Sequence, residues 1–175
     1  MQLKNSDTRF GLVAKLLHWI IALLIISLLC VGLYMTSHPK TPQKMDLYGI
    51  HKEFGILVLI LALSRVLWRL TNTIPRLLLP QWEQFAARLS HLVLYVLMIA
   101  MPLSGWLMSS AAGYTPSFFG ILLPNLLAPN EGLRDIFAVA HEWLGYSLIA
   151  VIILHASAAL KHHFIDKNDI LKRML

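Results

Sequence analysis

The chain has 175 residues, 57% of them hydrophobic and 14% charged, with a mean hydropathy of +0.65. That is too apolar for a water-soluble domain and too short for several domains, so the class is a single membrane-embedded unit over 1–175. A formal charge of +6 would suit nucleic acid, but the basic residues flank apolar runs and form no face of their own. The single cysteine, Cys30, excludes a disulfide framework, a zinc-thiolate site and a CxxCH motif.

The polar opening MQLKNSDTRF leads into an apolar run that lacks a small-residue cleavage site, and reads as a retained helix. Four stretches are long enough to cross a hydrocarbon layer of about 30 Å: 11–35, 48–70, 90–109 and 137–160. In lipid every backbone polar group must be satisfied within the chain, so these are helices, and the expected fold is an all-α four-helix transmembrane bundle. The first two connections, HPKTPQKMD and TNTIPRLLLPQWEQ, are short and proline-marked, as between antiparallel neighbours. The third, from Ser110 to Asp135, has a Gly-containing start and three prolines. It is expected to cap the external mouth, with a short helix near Asn125 to Ala128. Pro102 is expected to bend the third helix by removing a hydrogen bond.

Of the 15 Lys and Arg residues, eleven lie at the N-terminus, the second connection and the C-terminus. The other four, Lys40, Lys44, Lys52 and Arg134, lie at the first and third connections. This bias places both termini in the cytoplasm. The five tryptophans, Trp19, Trp68, Trp82, Trp106 and Trp143, sit mostly near span ends as belt residues.

Histidine spacing carries the chemistry. His155 follows His141 by 14 residues in HEWLGYSLIAVIILH. At about 100° and 1.5 Å per residue, both imidazoles leave nearly the same face, roughly 21 Å apart along the axis. Topology sorts the others by depth, with His18, His91 and His155 near the cytoplasmic ends and His51 and His141 near the external ends. Pairing within a level gives two bis-imidazole sites. The outer pair is His51 with His141; inside, His155 has two possible partners, His18, which is preferred, and His91.

Two neutral imidazoles on opposing helices clamp a porphyrin and leave iron no open position, which makes a b-type haem an electron carrier. Without CxxCH, such a haem is held by axial ligands and packing alone. Gly55, Gly145, Ala156, Ala158 and Ala159 leave room beside the proposed ligands. Arg9, Lys15, Arg65 and Arg69 inside, and Lys52 and Arg134 outside, are candidate propionate partners. Zinc would need more ligands at one level, and only Glu53 and Glu142 are near the outer pair, so a metal or proton transporter is the weaker reading. Quinone reduction consumes protons as well as electrons, and His91, His162 and His163 are titratable groups at the inner edge. His162, seven residues after His155 on nearly the same face, is the best candidate for a quinone head-group site. His38, in the first connection, is expected at the surface.

LLHW at 16–19, GIHKEFG at 49–55, HLVLYVLMIAMPLSGW at 91–106, HEWLGY at 141–146 and HASAALKHHF at 155–164 together resemble the bacterial cytochrome b-561 family. The resemblance implies a four-helix inner-membrane cytochrome with two haem b groups, His18 and His155 holding the cytoplasmic one and His51 and His141 the periplasmic one. It also implies superoxide as periplasmic donor and ubiquinone as acceptor near the cytoplasmic face, with His162 and His91 near the quinone and proton chemistry. A cationic mouth of Lys40, Lys44, Lys52 and Arg134 would steer superoxide. A cytochrome b anchor serving a partner dehydrogenase is the alternative.

Overall fold

The computed structural model describes residues 2–37, 42–76 and 79–175, and of 42–44 only the backbone. His38, Lys40 and the Lys44 side chain lie outside the described residues. Four helices carry the fold: α1 (Leu12–Ser37), α2 (Pro42–Thr71), α3 (Gln81–Ala111) and α4 (Glu131–Phe164). Each contains a stretch long and apolar enough to cross a membrane. All four outrun the spans expected from hydropathy. At 34 residues, α4 is about 51 Å long at 1.5 Å per residue, so its ends project beyond any hydrocarbon layer. Hydropathy marks only the lipid-facing part of a helix. The ends are set by local chemistry: Pro42 opens α2, Pro80 caps α3, and the Asn130 side chain accepts from the Leu133 amide at the start of α4.

Packing runs in the order α1 on α2, α2 on α3 and α3 on α4, and neither α1 nor α2 approaches α4 as closely as α3 does. The buried cluster of Ile21, Ile25, Val58, Ala62, Leu97, Met98 and Leu148 draws on all four helices. Only 11% to 22% of each span's most apolar stretch is buried in the bundle. The remaining apolar side chains, Leu23, Leu67, Leu92 and Leu154 among them, face outward, which suits lipid as the solvent.

At one end the segments before α1 and after α4 meet the α2–α3 connection; this is called the terminal end below. Asn5 Nδ2 donates to the Thr73 carbonyl, the Arg76 amide to the Asp7 carbonyl and the Arg173 guanidinium to the Arg76 carbonyl. Trp19 Nε1 donates to the Met174 carbonyl. At the opposite end the α3–α4 connection folds back over α2 and α3. Ser117 Oγ donates to Glu53 Oε1, Trp106 Nε1 to the Pro124 carbonyl, and Phe119 packs edge-on against Phe54.

The helix expected near Asn125 to Ala128 does not form. The connection instead holds a two-residue hairpin, β1 (Ser117–Phe118) against β2 (Ile121–Leu122). Its central residues Phe119 and Gly120 both have positive φ, the signature of a type I′ turn. Pro116, Pro124 and Pro129 supply no amide donors and bias the residues before them away from helix. Pro102 lies inside a continuous α3.

Candidate functional site

Each pair of histidines expected at one level is brought together. The rings of His18 and His155 have centroids 6.3 Å apart, as do those of His51 and His141. In both pairs one ring is on α4 and the other on a helix, α1 or α2, that does not pack closely against it. The equal gaps therefore lie in the seam between α4 and the α1–α2 pair. His91 on α3 also reaches this seam, its centroid 5.5 Å from that of His155.

At the opposite end, His51 and His141 line a cavity of about 450 Å³. Its wall is mostly apolar, with Ile25, Leu28, Val58, Met98 and Leu148 among the contributors. His51 Nδ1 and Ser109 Oγ are both buried in that wall without a hydrogen-bond partner among the described residues. His141 is held from α3. Its Nδ1 lies 3.1 Å from the Met101 carbonyl and 2.9 Å from Ser104 Oγ, while Ser104 Oγ itself donates to Met101. A carbonyl can only accept, so the ring proton is on Nδ1 and Nε2 keeps its lone pair. Gly105 makes the close approach possible, because a Cβ there would sit 3.1 Å from His141 Cε1. A Cβ on Gly32 would meet His51 Cε1 at 3.5 Å.

These supports were missed in the sequence. The small residues expected to matter were Gly55, Gly145 and the alanines after His155. Gly55 and Gly145 do line the cavity, a Cβ on Gly55 opening into its free space and one on Gly145 meeting the end of Met101. Gly32 and Gly105 are the ones set against the rings. The run SG after Pro102 was the available signal, two small residues within a turn of a proline inside the helix.

At the terminal end, Arg65 Nη1 donates to His18 Nδ1 at 2.9 Å, and Arg65 Nε to the Tyr95 hydroxyl at 3.3 Å. The Arg65 and Arg69 guanidiniums lie 5.9 and 5.7 Å from the Tyr95 ring centroid. His162 is placed apart from His91. Its Nδ1 is 2.7 Å from Asp166 Oδ2, with Asn168 Nδ2 at 3.4 Å. Lys161 Nζ bridges Asp166 at 2.8 Å and Glu83 at 3.2 Å. Glu83, His162 and Asp166 are close enough to share a cation, but the Lys161 ammonium already occupies the carboxylates. His163 is not a solvated tail residue: its Nδ1 is buried and its ring packs on Phe164. Glu53 accepts from Ser117, and Glu142, in the cavity lining, from Tyr146; among the described residues neither forms a zinc-like set with the outer histidines.

A membrane-spanning bundle with paired imidazoles in an apolar seam defines a membrane cytochrome b. Residues 9–175 match the family described as prokaryotic cytochrome b561, and the chain belongs to that family. It is 36% identical over 186 residues to cytochrome b561 homolog 2 of Escherichia coli (strain K12), covering 100% of this chain and 95% of that one. It is 32% identical to cytochrome b561 homolog 1 of the same organism, over 95% of this chain and 97% of that one. A protein of Yersinia pestis described as probable superoxide oxidase CybB is 30% identical, over 100% of this chain and 97% of its own. The chain is thus a multi-pass bacterial membrane protein that carries electrons on b-type haem.

Proposed function

We propose that the protein transfers electrons across the inner membrane through two haem b groups, oxidising superoxide at the periplasmic face and reducing ubiquinone near the cytoplasmic face. The observation that carries this reading is the equal 6.3 Å separation of two imidazole pairs at two levels. Each gap would leave room for one metal ion held by a nitrogen from each ring. His51 and His141 would hold one haem, His18 and His155 the other. His91 packs closer to His155, at 5.5 Å, and in this reading is a packed neighbour at the quinone end. The cavity and its orphaned His51 nitrogen fit the outer group.

Bound at both levels, haem b supplies a one-electron carrier at each. Two superoxide anions each lose one electron to become dioxygen, and those two electrons with two cytoplasmic protons convert a quinone to a quinol. His162, backed by Asp166, holds a proton at the edge where the quinone head group would be protonated. The charge bias of the connections orients the termini to the cytoplasm. The relative described as a probable superoxide oxidase supports the choice of donor.

The test is a pyridine haemochrome assay on purified protein, followed by superoxide-dependent quinone reduction. Two haems per chain and superoxide-driven quinol formation are expected. A protein without haem would overturn the cytochrome reading, and a two-haem protein inert toward superoxide that purifies with a dehydrogenase would establish the anchor role instead.

A further inference from the structure

The two histidine levels are electrostatically unlike. At the terminal end, Arg65 and Arg69, one helical turn apart on α2, both turn inward onto Tyr95 of α3. Arg65 reaches on to His18. Two guanidiniums, never deprotonated in proteins, are thereby held in half-buried surroundings, Arg65 against His18 and Arg69 on Tyr95, where charge is less screened than in water. At the opposite end His141 Nδ1 faces a carbonyl and a hydroxyl. Among the described residues, the cavity lining there adds one ammonium, Lys52, turned to the Tyr114 ring, and one carboxylate, Glu142.

From this contrast we infer that Arg65 and Arg69 are positioning residues that make the His18–His155 haem the higher-potential one. Electrons arriving at the His51–His141 level then run downhill toward the terminal end. The inference rests on the two-haem reading above. Reduction adds one negative charge to a haem, so a fixed cation nearby favours the reduced form. In the other direction, an Nδ1 proton shared with Met101 and Ser104 gives the His141 ring more anionic character, which favours the oxidised form. Ligation of His18 through Nε2 puts its proton on Nδ1 and ends the Arg65–His18 hydrogen bond. The Tyr95 contacts keep the guanidinium at that level, and the sign is the same if it pairs with a haem carboxylate. With haem held at both levels, one electron would pass from the group on His51 and His141 to the group on His18 and His155, the first being oxidised as the second is reduced.

Potentiometric titration of the purified holoprotein tests this. Arg65→Gln is expected to lower one midpoint by roughly a tenfold change in electron partition, about 59 mV for one electron, with two haems retained. Arg65→Lys, which keeps the charge, is expected to restore most of that shift. In a His141→Ala background, where only the terminal-end haem remains, Arg65→Gln must lower the remaining midpoint. Where Arg65→Gln costs haem, Arg69→Gln, acting through the charge on Tyr95, must lower the same midpoint. Unmoved midpoints in variants that keep both haems would overturn the inference, as would a fall confined to the haem that His141→Ala removes. Fewer than two haems in the unaltered protein would overturn the two-haem reading itself, which the haem ratio alone reveals.

Discussion

His141 owes its ligand geometry to two neighbours on α3: Met101, whose carbonyl accepts the ring proton, and Ser104, whose hydroxyl shares it. Losing one of two such supports typically weakens metal-site affinity 10–100-fold. Ser104→Ala, which leaves Met101 in place, is therefore expected at the low end, roughly a tenfold loss in haem retention at one level. Gly105→Ala is expected to do more, since its methyl would stand 3.1 Å from His141 Cε1 and α3 cannot retreat from α4 without uncovering the core. Gly49→Ala, whose methyl would open into free space outside the cavity lining, is expected to keep both haems. Haem-to-protein ratios on the three purified variants check the ordering, and equal retention in Gly105→Ala and Gly49→Ala would count against the support assigned to Gly105.

On the scale of elements, α4 matters most, because one continuous helix presents a ring to each level and then extends to the network around His162. Just past its end the chain turns back, and Asp166 accepts from Lys161 at 2.8 Å and from His162 at 2.7 Å. The Lys161 ammonium, with His162 adding to it, holds the Asp166 carboxyl below the usual carboxylate range. A depressed carboxylate contributes stability above its unfolded value, about 3.9, and loses it as pH falls through the lower folded value. The Asp166 contribution to the C-terminal turn is therefore expected to be constant from about pH 8 to 5 and to be lost only below about 4. Trp19 reports on this turn, because its indole donates to the Met174 carbonyl. Its fluorescence, read as the difference from Trp19→Phe, should be flat near neutrality and step in acid, and Asp166→Asn should abolish the step. A transition near neutral pH would assign control to another group.

For the whole molecule, the antiparallel bundle stacks two histidine levels with an apolar core between them and turns its outer surface to lipid. The charges at the opposite end differ in availability. Arg134 is already paired with Asp135 at 2.9 Å, whereas Lys52 lines the cavity that holds His51 and His141. If superoxide enters there, steering by Lys52 should speed the reaction at low ionic strength and fade as salt shortens the screening length to about 8 Å near physiological strength. Stopped-flow oxidation of superoxide at increasing salt is expected to slow for the unaltered protein. Lys52→Gln should be slower at low salt and less salt-sensitive, with Arg134→Gln close to unaltered. A salt-independent rate would remove electrostatic steering from the account.

Four spans, their antiparallel order and the two histidine heights were legible in the sequence, because lipid forces helices on apolar runs and a helix converts residue spacing directly into height and angle. The 14-residue interval from His141 to His155 needed no partner to be read that way. Which histidine faces which depends on how each helix is rotated and seated against its neighbours, and no single helix encodes that. Only the packed bundle set His18 opposite His155 with His91 alongside, brought Arg65 and Arg69 onto Tyr95, and placed Ser104 and Gly105 behind His141. The α3–α4 connection is the converse case. Its composition suggested a short helix, but proline placement and the contacts of Ser117 and Phe119 with α2 decided for a hairpin, since backbone donors that proline lacks cannot sustain a helical turn.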